Sequence, residues 1–328
     1  MKTRMFGRTG RKVSEIGFGT WAIGADWGHV DDTDAIAALR TALESGVTFI
    51  DTADVYGDGH SEQLIARVLR DYTGSRPFVA TKAGRRLPTQ SVAGYTKQNL
   101  TGWVERSLRN LEVEALDLVQ LHCPPTDLYY HPEAFAALDD LKREGKVRDY
   151  GVSVERVEEA IKAIEYPGVV SIQIIYNIFR QRPHELLFDL ARKQQVAIIA
   201  RVPLASGLLS GKFRPDTTFE ATDHRQYNRN GEAFDVGETF SGVPYEIGLA
   251  SVERVRKLVG ADTTMARLAL RWILMAEAVT VVIPGARNSE QMQSNAAAAA
   301  MPPLNPSVMD EIAAIYDQDI RPHVHQRW

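Results

Sequence analysis

Val196-Ala197-Ile198-Ile199-Ala200 is an unbroken apolar run between Gln194-Gln195 and Arg201. A strand with one wet face alternates apolar and polar residues. An unbroken run instead marks a strand covered on both faces, as in a parallel sheet between helical layers. Similar short runs recur outward from it. Eight strands are predicted, at residues 15–20, 48–53, 78–82, 116–122, 150–154, 170–177, 197–203 and 280–286. The stretches between them carry apolar residues three and four apart. In 31–45 these are Ile36, Leu39, Ala42 and Leu43, closed by Gly46. Residues 61–71 carry Leu64, Ile65, Val68 and Leu69, and 96–111 carry Leu100, Val104, Leu108 and Leu111. The stretch 132–144 opens on Pro132 and stops at Gly145, as helix start and stop chemistry requires. Helices are also expected at 155–165, 183–195, 245–259 and 262–275, with 289–300 and 306–318 after the last strand.

Strands alternating with helices eight times imply a closed (β/α)8 barrel. The competing architecture is an open doubly wound sheet. Its dinucleotide fingerprint is present only formally, in Gly17-Phe18-Gly19-Thr20-Trp21-Ala22, and no helical pattern starts there. The chain has 328 residues, against about 250 for a bare barrel. The excess is assigned to the N-terminal segment, a long polar loop at 212–244 after the seventh strand, the two late helices and the tail 321–328. One domain over 1–328 is expected.

Hydrophobic residues make up 44% and charged residues 24%, so a packed globular chain is expected rather than disorder. The net charge of −4 argues against a general nucleic-acid grip. The single cysteine, Cys123, excludes an internal disulfide and a cysteine-rich zinc site, and its expected role is that of a small buried hydrophobe. Residues 1–8 contain no apolar run, so no secretory signal is expected, and no segment approaches a membrane span. These features suit a cytoplasmic enzyme or large binding module without a membrane partner. His323 and His325 lack a carboxylate pattern around them, and no metal is expected.

Barrel chemistry belongs to the C-terminal strand ends and the loops that follow. Asp51 lies inside the apolar second strand and Tyr56 just beyond it; Lys82 ends the third strand and His122 the fourth. Ser153 ends the fifth and Gln173 lies in the sixth. Singly, each has a structural role open to it: capping a loop, reaching solvent, filling a core. Together, an acid, a phenol, an amine and an imidazole converge on one mouth. A buried Asp and Lys must pair, and a tyrosine beside the ammonium is expected to have its pKa lowered. That makes a proton donor for carbonyl reduction.

At these positions the chain resembles the aldo-keto reductase superfamily, in the bacterial branches with a long seventh loop. The resemblance runs from residues 4–13, like that family's barrel-plugging hairpin, to about residue 320. It is carried by Gly46-Val47-Thr48-Phe49-Ile50-Asp51-Thr52-Ala53-Asp54-Val55-Tyr56-Gly57, Ala80-Thr81-Lys82, Leu121-His122, Tyr150-Gly151-Val152-Ser153, the run from Pro203 to Lys212, and Ile283-Pro284-Gly285-Ala286-Arg287. It implies hydride transfer between NADP(H) and an aldehyde, ketone or alcohol. Tyr56 would be the general acid, Lys82 held by Asp51 would tune it, and His122 would orient the carbonyl. Gly19, Thr20, Trp21 and Asp51 would line the pocket floor, and Ser153 and Gln173 would hold the carboxamide, with Val154 where the family often has asparagine. Arg201 stands where an aromatic usually stacks on the nicotinamide; a guanidinium can stack or reach a phosphate. Pro203, Leu204, Ala205, Gly207, Leu208, Ser210, Gly211 and Lys212 would wrap the pyrophosphate. Gly285, Arg287, Gln291 and Asn295 match the adenosine end. Arg287 favours NADP over NAD, with Glu290 nearby to oppose it.

Trp21, Trp27, Tyr56, His122, Phe179 and Tyr227 are the residues expected to shape the substrate mouth. A small carbonyl compound is the expected partner, with the chain acting as a monomer or a homo-oligomer. An alternative function is an NADP-binding redox sensor with little turnover, like the potassium-channel β subunits of the same superfamily. A metal-dependent barrel chemistry would need a ligand cluster, which Asp51 and His122 alone do not supply.

Overall fold

The N-terminal hairpin pairs β1 (Thr3–Met5) antiparallel with β2 (Lys12–Ser14) and sets Phe6 under the barrel. In this computed structural model, which describes residues 1–24, 27 and 30–328, eight parallel strands follow. They are β3 (Phe18–Gly19), β4 (Phe49–Asp51), β5 (Phe78–Ala83), β6 (Leu116–His122), β7 (Val147–Ser153), β8 (Val169–Ile175), β9 (Ala197–Arg201) and β10 (Val279–Val282). Each pairs with the next in chain order. The ring then closes: Gly17 N donates to Val282 O at 2.8 Å, Val282 N to Glu15 O at 3.0 Å, and Gly19 N to Pro284 O at 3.1 Å. That closure excludes the open sheet. The first and last predicted strands are longer than the observed ladders, because the seam consists of isolated bridges at Ile16–Val282 and Gly19–Gly285, and Pro284 has no N–H to extend it.

Helices cover the outside: α1 (Asp32–Glu44), α2 (His60–Arg70), α3 (Lys97–Leu111), α4 (Pro132–Arg143), α5 (Val157–Ile164) and α6 (Leu187–Lys193), with α7 (Tyr245–Arg256), α8 (Met265–Leu274), α9 (Ser289–Ala297) and α10 (Pro306–Ile315) later in the chain. Their starts follow capping chemistry. Asp31 accepts from Thr33 N at 2.7 Å, Thr96 from Asn99 N at 3.2 Å, and Asn288 from Gln291 N at 3.0 Å. Both helices expected after the last strand are present. The first, α9, packs on α1 and closes the helical ring; α10 packs on α7. None of the helices among the described residues is long and apolar enough to cross a membrane.

The barrel interior is a packed core, not a channel. Phe49, Phe78, Ala80, Leu118, Val170, Ala197, Ile199, Val281 and Ile283 fill it, and Phe6 and Val13 close its lower end. The Phe6 ring lies 4.9 Å from Phe78 and 5.5 Å from Phe49. Around this plug, Arg4 donates to the carbonyls of Leu274 at 2.7 Å and Ala276 at 3.1 Å. Asp117, buried at the same end, takes Arg11 at 2.9 Å and Arg76 at 2.7 Å. With apolar side chains below, the inward polar groups of the strands gather at the opposite mouth.

The segment after β9 is ordered despite its polar composition. Four one-turn helices punctuate it, at Ala205–Ser210, His224–Tyr227, Val236–Glu238 and Phe240–Gly242. Asp223 forms an antiparallel bridge to Trp27 in the loop after β3. The tail anchors the same segment: Trp328 Nε1 donates to Asp235 Oδ1 at 2.9 Å, and the Arg180 guanidinium lies 3.8 Å over the indole. A Cβ on Gly242 would come within 2.4 Å of that indole.

Candidate active site

The ends of β4, β5 and β6 bring Asp51, Lys82 and His122 to one point, and the turn after β4 adds Tyr56. Lys82 Nζ donates to Asp51 Oδ1 at 2.5 Å, to Thr52 O at 2.9 Å and to Tyr56 OH at 3.3 Å. The other Asp51 oxygen accepts from Gln173 Nε2 at 2.7 Å and Gln120 Nε2 at 3.3 Å. The carboxylate is thus saturated and the ammonium fixed beneath the phenol. The His122 ring stands edge-on to Tyr56, centroids 6.0 Å apart. Gly57 holds the tyrosine turn: its φ is +59°, and a Cβ there would lie 2.3 Å from Gly24 O. Gln120 is a contact that sequence reasoning missed; it lies mid-strand with no motif to mark it.

Electrostatics correct one expectation. Burial raises the Tyr56 phenol to about 12, and the opposing pull of Lys82 does not outweigh it. The phenol is therefore held protonated, not lowered toward neutrality. Burial would lower Lys82, but Asp51 and Tyr56 more than offset this and keep it charged. Burial, with Arg85 and Lys82 beside it, holds His122 well below its usual value, so the ring is neutral at physiological pH. Its Nδ1 is buried and has no partner among the described residues.

Asp54, two residues before Tyr56, is fully buried with neither carboxylate oxygen hydrogen-bonded among the described residues. Burial and then Glu62 raise it from 3.8 to about 7. The folded chain therefore holds this proton more tightly than the unfolded one. Stability is highest below the unfolded value and falls as pH rises through about 7. Asp54→Asn is expected to stabilise by about 1–3 kcal/mol at pH 8 and by little near pH 4. Thermal unfolding at both pH values checks this; an equal effect at both would contradict it.

From Tyr56 a cavity of about 640 Å³ runs across the mouth toward α9. Among the expected cofactor residues, Gly19, Trp21, Asp51, Ser153, Gln173, Arg201, Pro203, Leu204, Gly207, Ser210, Lys212, Gly285, Arg287, Gln291 and Asn295 line it. Thr20, Ala205, Leu208 and Gly211 are not among the lining residues. Thr20 Oγ1 donates to Asp51 O at 2.9 Å, while Ala205 and Leu208 are buried in the core. Gln291 accepts from Arg287 N at 2.9 Å, and Asn295 donates to Gly285 O at 3.0 Å, so both shape the loop before α9. Lys212 and Arg287, with Arg225 paired to Asp223, are the cations lining the cavity outside the Arg201 cluster, against one exposed carboxylate from Glu290. Asp223 lies 3.7 Å from Arg287 and pairs closely with Arg225. The donor set, an amide-lined floor leading to two cationic side chains, fits a phosphorylated dinucleotide.

At the other end, Trp21, Trp27, Tyr56 and His122 line the mouth as expected, joined by Glu238. Phe179 does not: it is fully buried in the core. Tyr227 stands edge-on to Phe234 and is not among the lining residues. The inner ring next to Trp21 and Trp27 is instead His224, at centroid distances of 4.7 and 4.5 Å.

Arg201 sits in a buried cluster. Its Nη1 meets Glu238 at 3.0 Å, and its Nη2 meets Glu155 at 2.9 Å and Val154 O at 3.0 Å. Arg85 completes the group at 2.8 Å from Glu238 and 3.4 Å from Glu155. Burial and Glu238 raise Glu155 to about 7. Arg201 and Arg85 outweigh burial at Glu238 and hold it well below the usual carboxylate range. Cys123, Glu155 and Glu238 are close enough together to hold a cation, but the two guanidiniums already occupy the carboxylates.

A closed parallel barrel with a lysine between a carboxylate and a phenol defines a class of protein, and comparison with known chains agrees. A model of the Aldo/keto reductase family matches residues 15–317. The chain belongs to that family of oxidoreductases. It is 30% identical over 292 residues to Aldo-keto reductase YhdN of Bacillus subtilis, covering 87% of this chain and 85% of that one. Among solved structures, the holo form of aldo-keto reductase AKR11C1 from Bacillus halodurans aligns with a TM-score of 0.76 at 28% identity, over 96% of both chains. The glycerol dehydrogenase AKR11B4 from Gluconobacter oxydans aligns with a TM-score of 0.75 at 29% identity, over 96% of this chain and 94% of that one.

Proposed function

We propose that the chain, acting as one domain over 1–328, reduces aldehydes or ketones with NADPH and runs the reverse alcohol oxidation with NADP. The observation that carries this reading is Lys82 Nζ held between Asp51 and the Tyr56 hydroxyl. When bound, a reduced nicotinamide supplies the hydride for the carbonyl carbon. Tyr56 gives its proton to the carbonyl oxygen. The ammonium of Lys82 stabilises the phenolate left behind, and Asp51 keeps that ammonium charged. Neutral His122 offers a ring N–H to orient the carbonyl oxygen. Tyr56 is then reprotonated from solvent.

Ser153, Gln173 and the segment from Pro203 to Lys212 would hold the cofactor, with Gly285, Arg287, Gln291 and Asn295 at its adenosine end. Arg201 has its two terminal nitrogens committed to Glu155, Glu238 and Val154. A face for stacking therefore suits it better than a phosphate contact. Lys212 and Arg287 at one end of the cleft support NADP over NAD. Arg287→Ala is expected to raise KM for NADPH about tenfold and to leave KM for NADH nearly unchanged. Equal effects on both cofactors would remove the 2′-phosphate assignment.

The test of the reading is nicotinamide absorbance over a panel of aldehydes and ketones, with NADPH and NADH in parallel. The likeness to a glycerol dehydrogenase adds small polyols and hydroxyaldehydes to that panel. An inert protein over the whole panel would defeat it.

A further inference from the structure

We infer that Glu238 sets the charge of the substrate end of the pocket and makes it select uncharged carbonyl compounds over those bearing a carboxylate or phosphate. This rests on the reductase reading above. Glu238 lines the same cavity as Tyr56 and His122. One of its oxygens takes Arg85 at 2.8 Å and the other takes Arg201 at 3.0 Å. Glu155 takes the remaining arm of Arg201 at 2.9 Å. Two guanidiniums beside a catalytic mouth would otherwise form a receptor for an anion. Here the protein's own carboxylates fill that receptor. A substrate anion entering beside His122 has either to displace a buried, doubly paired carboxylate or to lie next to it with like charge, and both are unfavourable.

The seventh loop is built to deliver this residue. Ser206 Oγ donates to Glu238 O at 3.0 Å and accepts from Phe240 N at 3.0 Å. Ser206 itself adopts φ +53°, a backbone state that costs a non-glycine residue energy. On the other flank, Asp235 is held by Trp328 at 2.9 Å. Glu238 is therefore a specificity-determining residue fixed from both sides.

The experiment compares benzaldehyde with 4-carboxybenzaldehyde, using NADPH, for the wild-type protein and Glu238→Gln. The wild type is expected to favour benzaldehyde in kcat/KM. Glu238→Gln is expected to shift the ratio toward the carboxylate by about tenfold or more, chiefly through KM. An unchanged ratio, or a wild type that handles the anionic aldehyde as well or better, overturns the inference. If Glu238→Gln does not fold, the wild-type ratio decides alone. If the wild type turns over neither aldehyde, the wider carbonyl panel decides the reductase reading separately. Calorimetric binding of benzoate to the NADP-loaded proteins then decides this one: tenfold tighter binding to the variant supports it, and equal binding overturns it.

Discussion

Tyr56→Phe is expected to lower kcat for carbonyl reduction by about 10²–10⁴-fold while leaving cofactor affinity unchanged. The ring and its packing survive, and only the proton donor is lost. The measurement pairs nicotinamide absorbance for turnover with fluorescence titration for cofactor binding. The raised phenol adds a pH signature. With Tyr56 at about 12 in the cofactor-free protein, the donor form persists throughout the neutral and mildly alkaline range. Reduction by the wild type is expected to be flat from about pH 6 to 9, since the donor stays loaded well below its pKa. Alcohol oxidation needs the phenolate and should climb with pH. A Phe variant with wild-type turnover would move the acid role to another group.

Lys82→Met is expected to remove both activity and stability. Lys82 is buried and is the cation paired with buried Asp51. Taking one partner of such a pair away leaves the other uncompensated, at about 3–5 kcal/mol. Among the described residues, Asp51 would retain the amides of Gln173 and Gln120. Denaturant unfolding reads the loss. Adding Asp51→Asn to Lys82→Met should restore much of the stability without restoring turnover. A single variant as stable as wild type would mean that the pair contributes far less than its geometry indicates.

Much of this was legible in the chain itself. Strand Leu116–His122 matches its predicted bounds because Leu116, Leu118, Val119 and Leu121 mark a buried strand that ends at polar His122. The tetrad was legible because each member sits at a strand end or in the turn just beyond one, where a barrel leaves few alternatives. The sign of the tyrosine shift was not. Adjacent charge can be inferred from residue types, whereas burial depends on everything packed around the ring. Glu238 was also invisible: its partners Arg85 and Arg201 lie 153 and 37 positions away, and nothing local in Gly237-Glu238-Thr239 announces them. Phe179 shows the converse error. An aromatic in a loop after a barrel strand suggests a pocket wall, yet three-dimensional packing draws it into the core.

The hairpin beneath the barrel bears on the order of assembly. Phe6 and Val13 fit against Val281 and Ile283, and Arg4 bonds carbonyls at Leu274 and Ala276. The hairpin thus waits for residues some 270 positions later before it has a place to go. Contacts so distant in sequence make closure late and slow. Until β10 (Val279–Val282) is made, the apolar faces of β3 to β9 have no final seal, and the nascent chain is aggregation-prone.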